Sequence, residues 1–310
     1  MIRATILIDC GRHSGLGRVR RTLTLLDAFR AQNAQARVFL SDEEGAGLVA
    51  AKGYNYQVGM PTDLEDDILI VDTCTLDSQK INRLCAAARV SCVIDDLGQR
   101  PVNCDYIVNP NLYAEAVDYS DYSARKIFYG PAHSLLARDF FKQDPEEQTR
   151  EGIVVSFGGT DDGTLAATVV RELCRKTSET IYVPLPEYVE PSAKLNTLAD
   201  TDPNVKLLVN PAMPELLGTS RLYVGAAGAT VLEALASGCR VCVAATQSDQ
   251  VQNVAFLPTI GIPALTSFNP DALAAMAADL INCDRPAVMF DANAPMDIAA
   301  AALDTYHRVA

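Results

Sequence analysis

Four segments of the chain bring together residue types that could hold and transform an anionic ligand. Gly15-Leu-Gly17-Arg18-Val-Arg-Arg21 follows the apolar run Ile6–Ile8 across a short polar loop. It opens a stretch whose apolar positions 19, 23, 26 and 29 recur at helical spacing. A glycine turn between strand and helix lets main-chain N–H groups approach a ligand at the positive end of the helix dipole. A tight βα connection with no ligand would use the same glycines. A second such turn follows Val154-Val-Ser-Phe157, where Gly158, Gly159, Thr160, Asp161, Asp162 and Gly163 lead into a helix from Thr164. Here Asp162 or Thr164 could instead cap the helix. In the third, Gly225-Ala-Ala227-Gly228-Ala229-Thr230 separates a strand from the helix Val231-Leu-Glu233-Ala-Leu. Small residues there admit a phosphate, and Glu233, one turn in, could accept both hydroxyls of a ribose or simply be solvated. The fourth, Gln247-Ser-Asp-Gln250-Val-Gln-Asn253, opens another helix after the strand 240–244.

Groups able to move a proton lie nearer the N-terminus. His13 shares a loop with Arg18, and its ordinary pKa near ~6.5 suits proton transfer at neutral pH. Asp9 ends the first strand, and Asp95 with Asp96 ends a later one, where turn and cap chemistry also favours Asp. Arg18 stays protonated at any working pH. It can clamp a phosphate or a carboxylate but cannot act as a general base. His133 and His307 have no supporting motif and read as structural.

Alternating strands and helices must position these groups. Strands are expected at 4–8, 37–40, 67–71, 90–94 and 127–129, with helices at 18–31, 43–52 and 77–88. The polar run 142–151 interrupts the pattern and reads as a linker. Alternation then resumes, with strands at 153–157, 180–183, 205–208, 222–224 and 240–244. Helices there fall at 164–177, 190–198, 212–218, 229–237, 250–257 and 270–282. The expectation is an α/β protein of two doubly wound, Rossmann-type domains, 1–141 and 152–310, with a ligand between them beyond the strand ends. The terminal helix around the Ala run 299–302 is expected to pack back onto the body.

Composition narrows the function classes. A net charge of −13 argues against a nucleic-acid polymer as partner, because phosphate backbones select basic surfaces. No apolar run approaches the ~20 residues of a membrane span, and the start of the chain lacks a signal-peptide layout. The nine cysteines are odd in number and scattered. Cys239 and Cys242 form a C-x-x-C without a second pair, so inert thiols in a cytoplasmic protein are expected, with no metal and no cofactor. The chain reads as a monomer or weak homodimer.

Taken in order, the motifs resemble a known family. Beside Gly158-Gly-Thr-Asp161, Ala226-Ala-Gly-Ala-Thr-Val-Leu-Glu233 and Asp249-Gln250-x-x-Asn253 stand Ile94-Asp-Asp96 and Cys104-Asp-Tyr-Ile-Val-Asn109, with Asn111 and Tyr113. Gly130-Pro-Ala-His-Ser-Leu-Leu-Ala-Arg138 follows. Over roughly residues 2–265 the chain resembles the pseudaminic acid pathway hydrolases, which cleave UDP from a diacetamido-trideoxy-altropyranose. That family is related in fold to the glycosyltransferase of GT-B architecture that makes lipid II.

The resemblance implies that Gly158, Gly159, Thr160 and the 227–230 turn surround a diphosphate, UDP more readily than CMP. It further implies that Glu233 holds the ribose and that Gln250 and Asn253 face sugar or phosphate. The sugar contacts and catalytic groups would come from Gly15–Arg21 and from the loops after strands 67–71 and 90–94, with Asp96, Asn109 and Asn111 among the substrate contacts. The chain departs from the family where chemistry is expected. The family's turn reads Gly-x-Gly-His, and Arg18 stands at that His; a family tyrosine after the strand ending at Asp72 is replaced by Thr73 and Cys74. His13, Asp9 or Asp95 would then have to serve as base. Hydrolysis of a nucleotide sugar, transfer to an acceptor hydroxyl, and binding without turnover are the three readings, in that order.

Overall fold

The computed structural model describes residues 2–11, 16–61, 64, 66–141, 149–158, 161–187 and 189–309. His13, Gly15, Gly159, Thr160 and most of the expected linker lie outside them. The chain divides into two compact units, Met1–Ala137 with Met289–Ala310, and Arg138–Val288.

The first unit is built on seven parallel strands. These are β1 (Arg3–Ile8), β2 (Gln35–Leu40), β3 (Asn55–Val58), β4 (Ile68–Asp72), β5 (Val90–Ile94), β6 (Asn103–Asn109) and β7 (Ser123–Tyr129), in the order β3-β2-β1-β4-β5-β6-β7. The order reverses between β1 and β4, the switch point at which open α/β sheets leave a crevice beyond their carboxyl ends. Parallel strands must be covered on both faces. Alternation along β1 does this: Ile6 and Ile8 join the core under α1 (Gly17–Ala31), while Leu7 joins Leu69, Val71 and Ile81 on the opposite face. Helix α1 forms because Val19, Leu23, Leu26 and Phe29 make one buried stripe, and Asn33, at φ 65°, turns the chain out of it. The short α2 (Ala46–Ala51) follows β2, and α3 (Ser78–Ala87) covers the second face with Asp77 as its cap.

The second unit holds six parallel strands. They are β8 (Ile153–Ser156), β9 (Ile181–Leu185), β10 (Val205–Val209), β11 (Leu222–Ala226), β12 (Arg240–Ala244) and β13 (Ala264–Leu265), in the order β10-β9-β8-β11-β12-β13. Here the switch point falls between β8 and β11. The connecting helices are α4 (Thr164–Leu173), α5 (Ala193–Thr201), α6 (Met213–Thr219), α7 (Thr230–Ala236), α8 (Val251–Phe256) and α9 (Pro270–Leu280). Leu173, Leu195, Leu273 and Ala277 bring α4, α5 and α9 onto one face of the sheet.

The terminal helix α10 (Ala294–Val309) belongs to the first unit, in line with the packing back onto the N-terminal domain that the sequence allows. Its small residues Ala299 and Ala302 allow close approach to that core. Tyr106 Oη fixes it by donating to the Ala301 carbonyl at 2.9 Å and sharing a hydrogen with Thr305 at 2.6 Å. The second unit begins earlier than 152. Arg150, expected in the linker, is 1 % exposed, and its guanidinium donates to the carbonyls of Leu217, Ser220 and Ser237 near the ends of α6 and α7. The strands β3 and β6, which the sequence pattern missed, are a four-residue edge with every side chain exposed and a run flanked by polar residues.

Candidate functional site

At the carboxyl edge of the first sheet, two carboxylates hold one guanidinium. Arg21 Nε and Nη2 donate to Asp72 at 2.8 and 2.6 Å, and Nη1 and Nη2 donate to Asp96 at 2.8 and 2.9 Å. Thr22 Oγ1 adds a bond to Asp72 at 2.8 Å. Burial works against the Arg21 charge, but the two flanking carboxylates outweigh it and raise its pKa well above the usual value. Burial likewise pushes Asp96 up, while Arg21, Arg18 and Asn111 pull it down to about 2.

Asn111 Nδ2 donates to Asp96 at 2.9 Å and to Asn109 Oδ1 at 2.9 Å. Asn109 Nδ2 and the Tyr113 hydroxyl reach the Asp96 carbonyl at 3.2 and 2.9 Å. The structure therefore gathers Arg21, Asp96, Asn109 and Asn111, but as one bonded network. Four of the five N–H donors of Arg21 are spent inside the protein, so it positions Asp72 and Asp96 and has no fork left for a substrate. Asp72, the hub of this network, carried no distinguishing signal beyond ending an apolar strand.

Asp9 and Asp95 are not poised as bases. Asp9, fully buried, accepts from the amides of Cys74 and Thr75 at 2.6 and 2.8 Å and from Thr75 Oγ1 at 3.0 Å. Its oxygens organise the loop after β4. Asp95, 2 % exposed, accepts from the Tyr122 hydroxyl at 2.6 Å and the Gly98 amide at 3.3 Å, with Arg100 3.9 Å away. Carboxylates committed to such partners have fewer lone pairs to offer a water. Gly17 opens α1, and among the described residues no side chain caps that helix. Arg18 lies with Nε 3.8 Å from Asp72.

In the second unit the expected turns converge beside the β8/β11 switch point. Gly225 is packed so closely that an added Cβ would lie 1.8 Å from the Ser156 carbonyl oxygen. Beneath the turn, buried Tyr223 donates to that same oxygen at 3.0 Å. Burial and the Glu233 carboxylate raise the Tyr223 phenol.

Two side chains shape Ala227, Gly228, Ala229 and Thr230. Asn253 Nδ2 donates to the Ala227 carbonyl at 2.8 Å, and the Ala227 amide donates to Ala244 at 3.1 Å. Gln250 Oε1 accepts from the Thr246 amide at 2.9 Å, leaving its Nε2 facing Gly228. Asn253 is thus a brace for the turn rather than a ligand contact. Gly158 has φ +93° and open space where a side chain would be. Asp161 differs from its expected role: its carboxylate accepts from the Leu165 and Ala166 amides at 3.2 and 3.3 Å and caps α4, with burial raising its pKa. A carboxylate seated there takes the amides a phosphate would need.

All nine thiols are free, Cys239 and Cys242 are buried, and among the described residues no group of three His, Cys, Asp or Glu could hold a metal ion. No helix among them is long and apolar enough to cross a membrane.

No family model matches the chain. Over 271 residues it is 25 % identical to an uncharacterized protein of Methanocaldococcus jannaschii, covering 78 % of this chain and 55 % of that one. Over 175 residues it is 24 % identical to the UDP-2,4-diacetamido-2,4,6-trideoxy-beta-L-altropyranose hydrolase of Campylobacter jejuni, covering 54 % and 62 %. The aligned stretches thus span less than two thirds of the length of these curated relatives. Among solved structures, UGT89C1 of Arabidopsis thaliana complexed with UDP-L-rhamnose superposes with a TM-score of 0.64 at 12 % identity, covering 99 % of this chain and 97 % of that one. The glycosyltransferase SnogD of Streptomyces nogalater gives 0.62 at 14 % identity, covering 99 % and 95 %. The fold is GT-B-like: two parallel-sheet α/β units, of seven and six strands.

Proposed function

We propose that the protein binds a UDP-linked acetamido deoxysugar and cleaves its anomeric C–O bond with water as acceptor, releasing UDP in the biosynthesis of a nonulosonic acid or surface glycan. The observation that carries this reading is the construction of the turn after β11. Asn253 and Ala244 hold its main chain, Gly225 seats it against β8, and Glu233 lies in the first turn of α7. In this reading the amides of 227–230, with Gly158, Gly159 and Thr160, receive the diphosphate, and Glu233 accepts the ribose hydroxyls. The Gln250 amide offers a further donor. The first unit handles the sugar. The water oxygen bonds to the anomeric carbon, and the electron pair of the broken C–O bond goes to the departing diphosphate. Fixed main-chain donors stabilise that charge. With Asp9 and Asp95 committed to loops, the proton falls to His13. The hydrolase named for Campylobacter jejuni supports the choice of water.

Glu233→Ala should weaken UDP binding by about 10- to 100-fold, the worth of charged hydrogen bonds to two hydroxyls, with Glu233→Gln intermediate. Calorimetric titration with UDP measures it, and an unchanged affinity removes Glu233 from the ribose. Transfer to an acceptor hydroxyl is the second reading, favoured by the glycosyltransferases that share the fold. UDP release from a UDP-sugar without added acceptor supports hydrolysis. Release that requires an acceptor establishes transfer instead, and UDP binding without turnover of any sugar nucleotide defeats both.

A further inference from the structure

A small cleft at the carboxyl ends of β4 and β5, wholly within the first unit, has features that the bonded network around Arg21 does not use. It encloses about 110 Å³ and is lined in part by Arg18, Thr73, Cys74 and Arg100. Thr73 is 2 % exposed, and its hydroxyl has no hydrogen-bond partner. Leaving a buried hydroxyl unpaired is costly, so such a group marks a place where a partner is missing.

The two arginines point the same way. Arg18 and Arg100 have side chains only 19 % and 23 % exposed, yet each stands beyond hydrogen-bond distance from its nearest carboxylate, at 3.8 Å from Asp72 and 3.9 Å from Asp95. Arg21, in contact with the same Asp72, bonds at 2.6 Å. Arg100 gives one donor to the Leu76 carbonyl at 3.1 Å. Burial and the Asp9 carboxylate raise the Cys74 thiol against the pull of Arg18 and Arg100, which both act on it. Partly buried arginines with long ion pairs hold N–H donors in reserve for an anion.

Size and charge select the anion. The small cleft has room for a carboxylate and the carbon that bears it. With Asp9, which bonds the Cys74 amide, the carboxylates of Asp72, Asp95 and Asp96 outnumber Arg18, Arg21 and Arg100 by one. One added negative charge is therefore tolerated better than the two of a phosphate.

We propose that this cleft is an acid subsite in which Arg18 and Arg100 grip the carboxylate of a uronic-acid-type sugar, with the Thr73 hydroxyl as a further donor. The proposal rests on the reading of the first unit as the sugar-handling part, and it makes that sugar acidic.

Cys74 reports on the cleft. It is exposed, as is Cys283, so full-length protein carrying Cys283→Ser directs iodoacetamide to position 74. Peptide mass spectrometry then follows its alkylation with glucuronate, glucose or inorganic phosphate present at matched ionic strength. Glucuronate should slow labelling of Cys74, glucose should not, and phosphate should protect less well. Arg18→Gln and Arg100→Gln should each weaken glucuronate protection about tenfold while the protein remains folded, as its circular dichroism reads. Arg100→Lys, which keeps the charge and loses the fork, should recover part of it. Protection by glucose equal to that by glucuronate overturns the proposal. So do absence of protection, persistence of protection in both glutamine variants, and phosphate protecting best. UDP titration of the same protein reads the nucleotide site separately, so loss of UDP binding with intact Cys74 protection refutes the nucleotide reading and not this one.

Discussion

Arg21→Ala is expected to cost about 3–5 kcal/mol of stability, read as a fall in the denaturation midpoint. The cause is not the lost attraction but what remains behind. Asp72, 1 % exposed in its side chain, and Asp96, 22 % exposed, would face each other with only Thr22, Asn111 and the distant Arg18 to satisfy them. Arg21→Lys should be nearly as harmful, because a single ammonium cannot present four donors in one plane to two carboxylates. An Arg21→Ala protein as stable as its parent would show that the clamp does not hold the edge together. The pH profile gives a second reading of the same cluster. The folded pKa of Asp96, about 2, lies below the ordinary carboxylate value near ~3.9. The stability it contributes is therefore present above the ordinary value and lost as pH falls from about 5 toward 2, amounting to about 2 kcal/mol. In Arg21→Ala that acid-sensitive component should shrink, which denaturant titrations at pH 3 to 7 would measure as a flatter profile.

Gly225→Ala is expected to disrupt the second unit, with a loss of more than about 4 kcal/mol. The new methyl would sit 1.8 Å from the Ser156 carbonyl oxygen, 2.9 Å from the carbon bearing it and 2.7 Å from the Tyr223 hydroxyl. Two of those atoms are main chain of the neighbouring strand. They can yield only if β8 and β11 part, at the switch point from which the proposed nucleotide turn is built. Gly228→Ala is the control. Its added carbon meets nothing closer than Gln250 Nε2 at 3.8 Å, an ordinary contact, so stability should change by less than about 1 kcal/mol. Thermal denaturation of the two variants side by side settles the matter. Equal melting temperatures would mean that the close approach at Gly225 is not needed.

Much of the architecture was legible in the chain because its signals are local. The largely apolar runs at 68–72, 90–94, 153–156 and 240–244 mark strands buried on both faces, and each is a strand of the fold. The alternation of such runs with amphipathic stretches led directly to parallel sheets. Among the strands that the pattern missed, β3 is fully exposed at an edge, and β13 is two residues long.

The residue types at the site were equally visible, since Asp and Asn at strand ends and glycines before helices stand out against apolar runs. Their roles were not. Asp9, Asp95 and Arg21 have the chemistry of a base or a clamp, yet each is occupied by partners from 27 to 75 positions away. Local sequence alone sets which groups reach the edge of a sheet and how the backbone carries them there, because spacing and burial periodicity are properties of neighbours. Whether a carboxylate at that edge has an open lone pair, or a guanidinium a donor to spare, depends on side chains delivered by other strands. Only the tertiary structure could assign Arg21 to two aspartates and leave Arg18 and Arg100 with reach to spare.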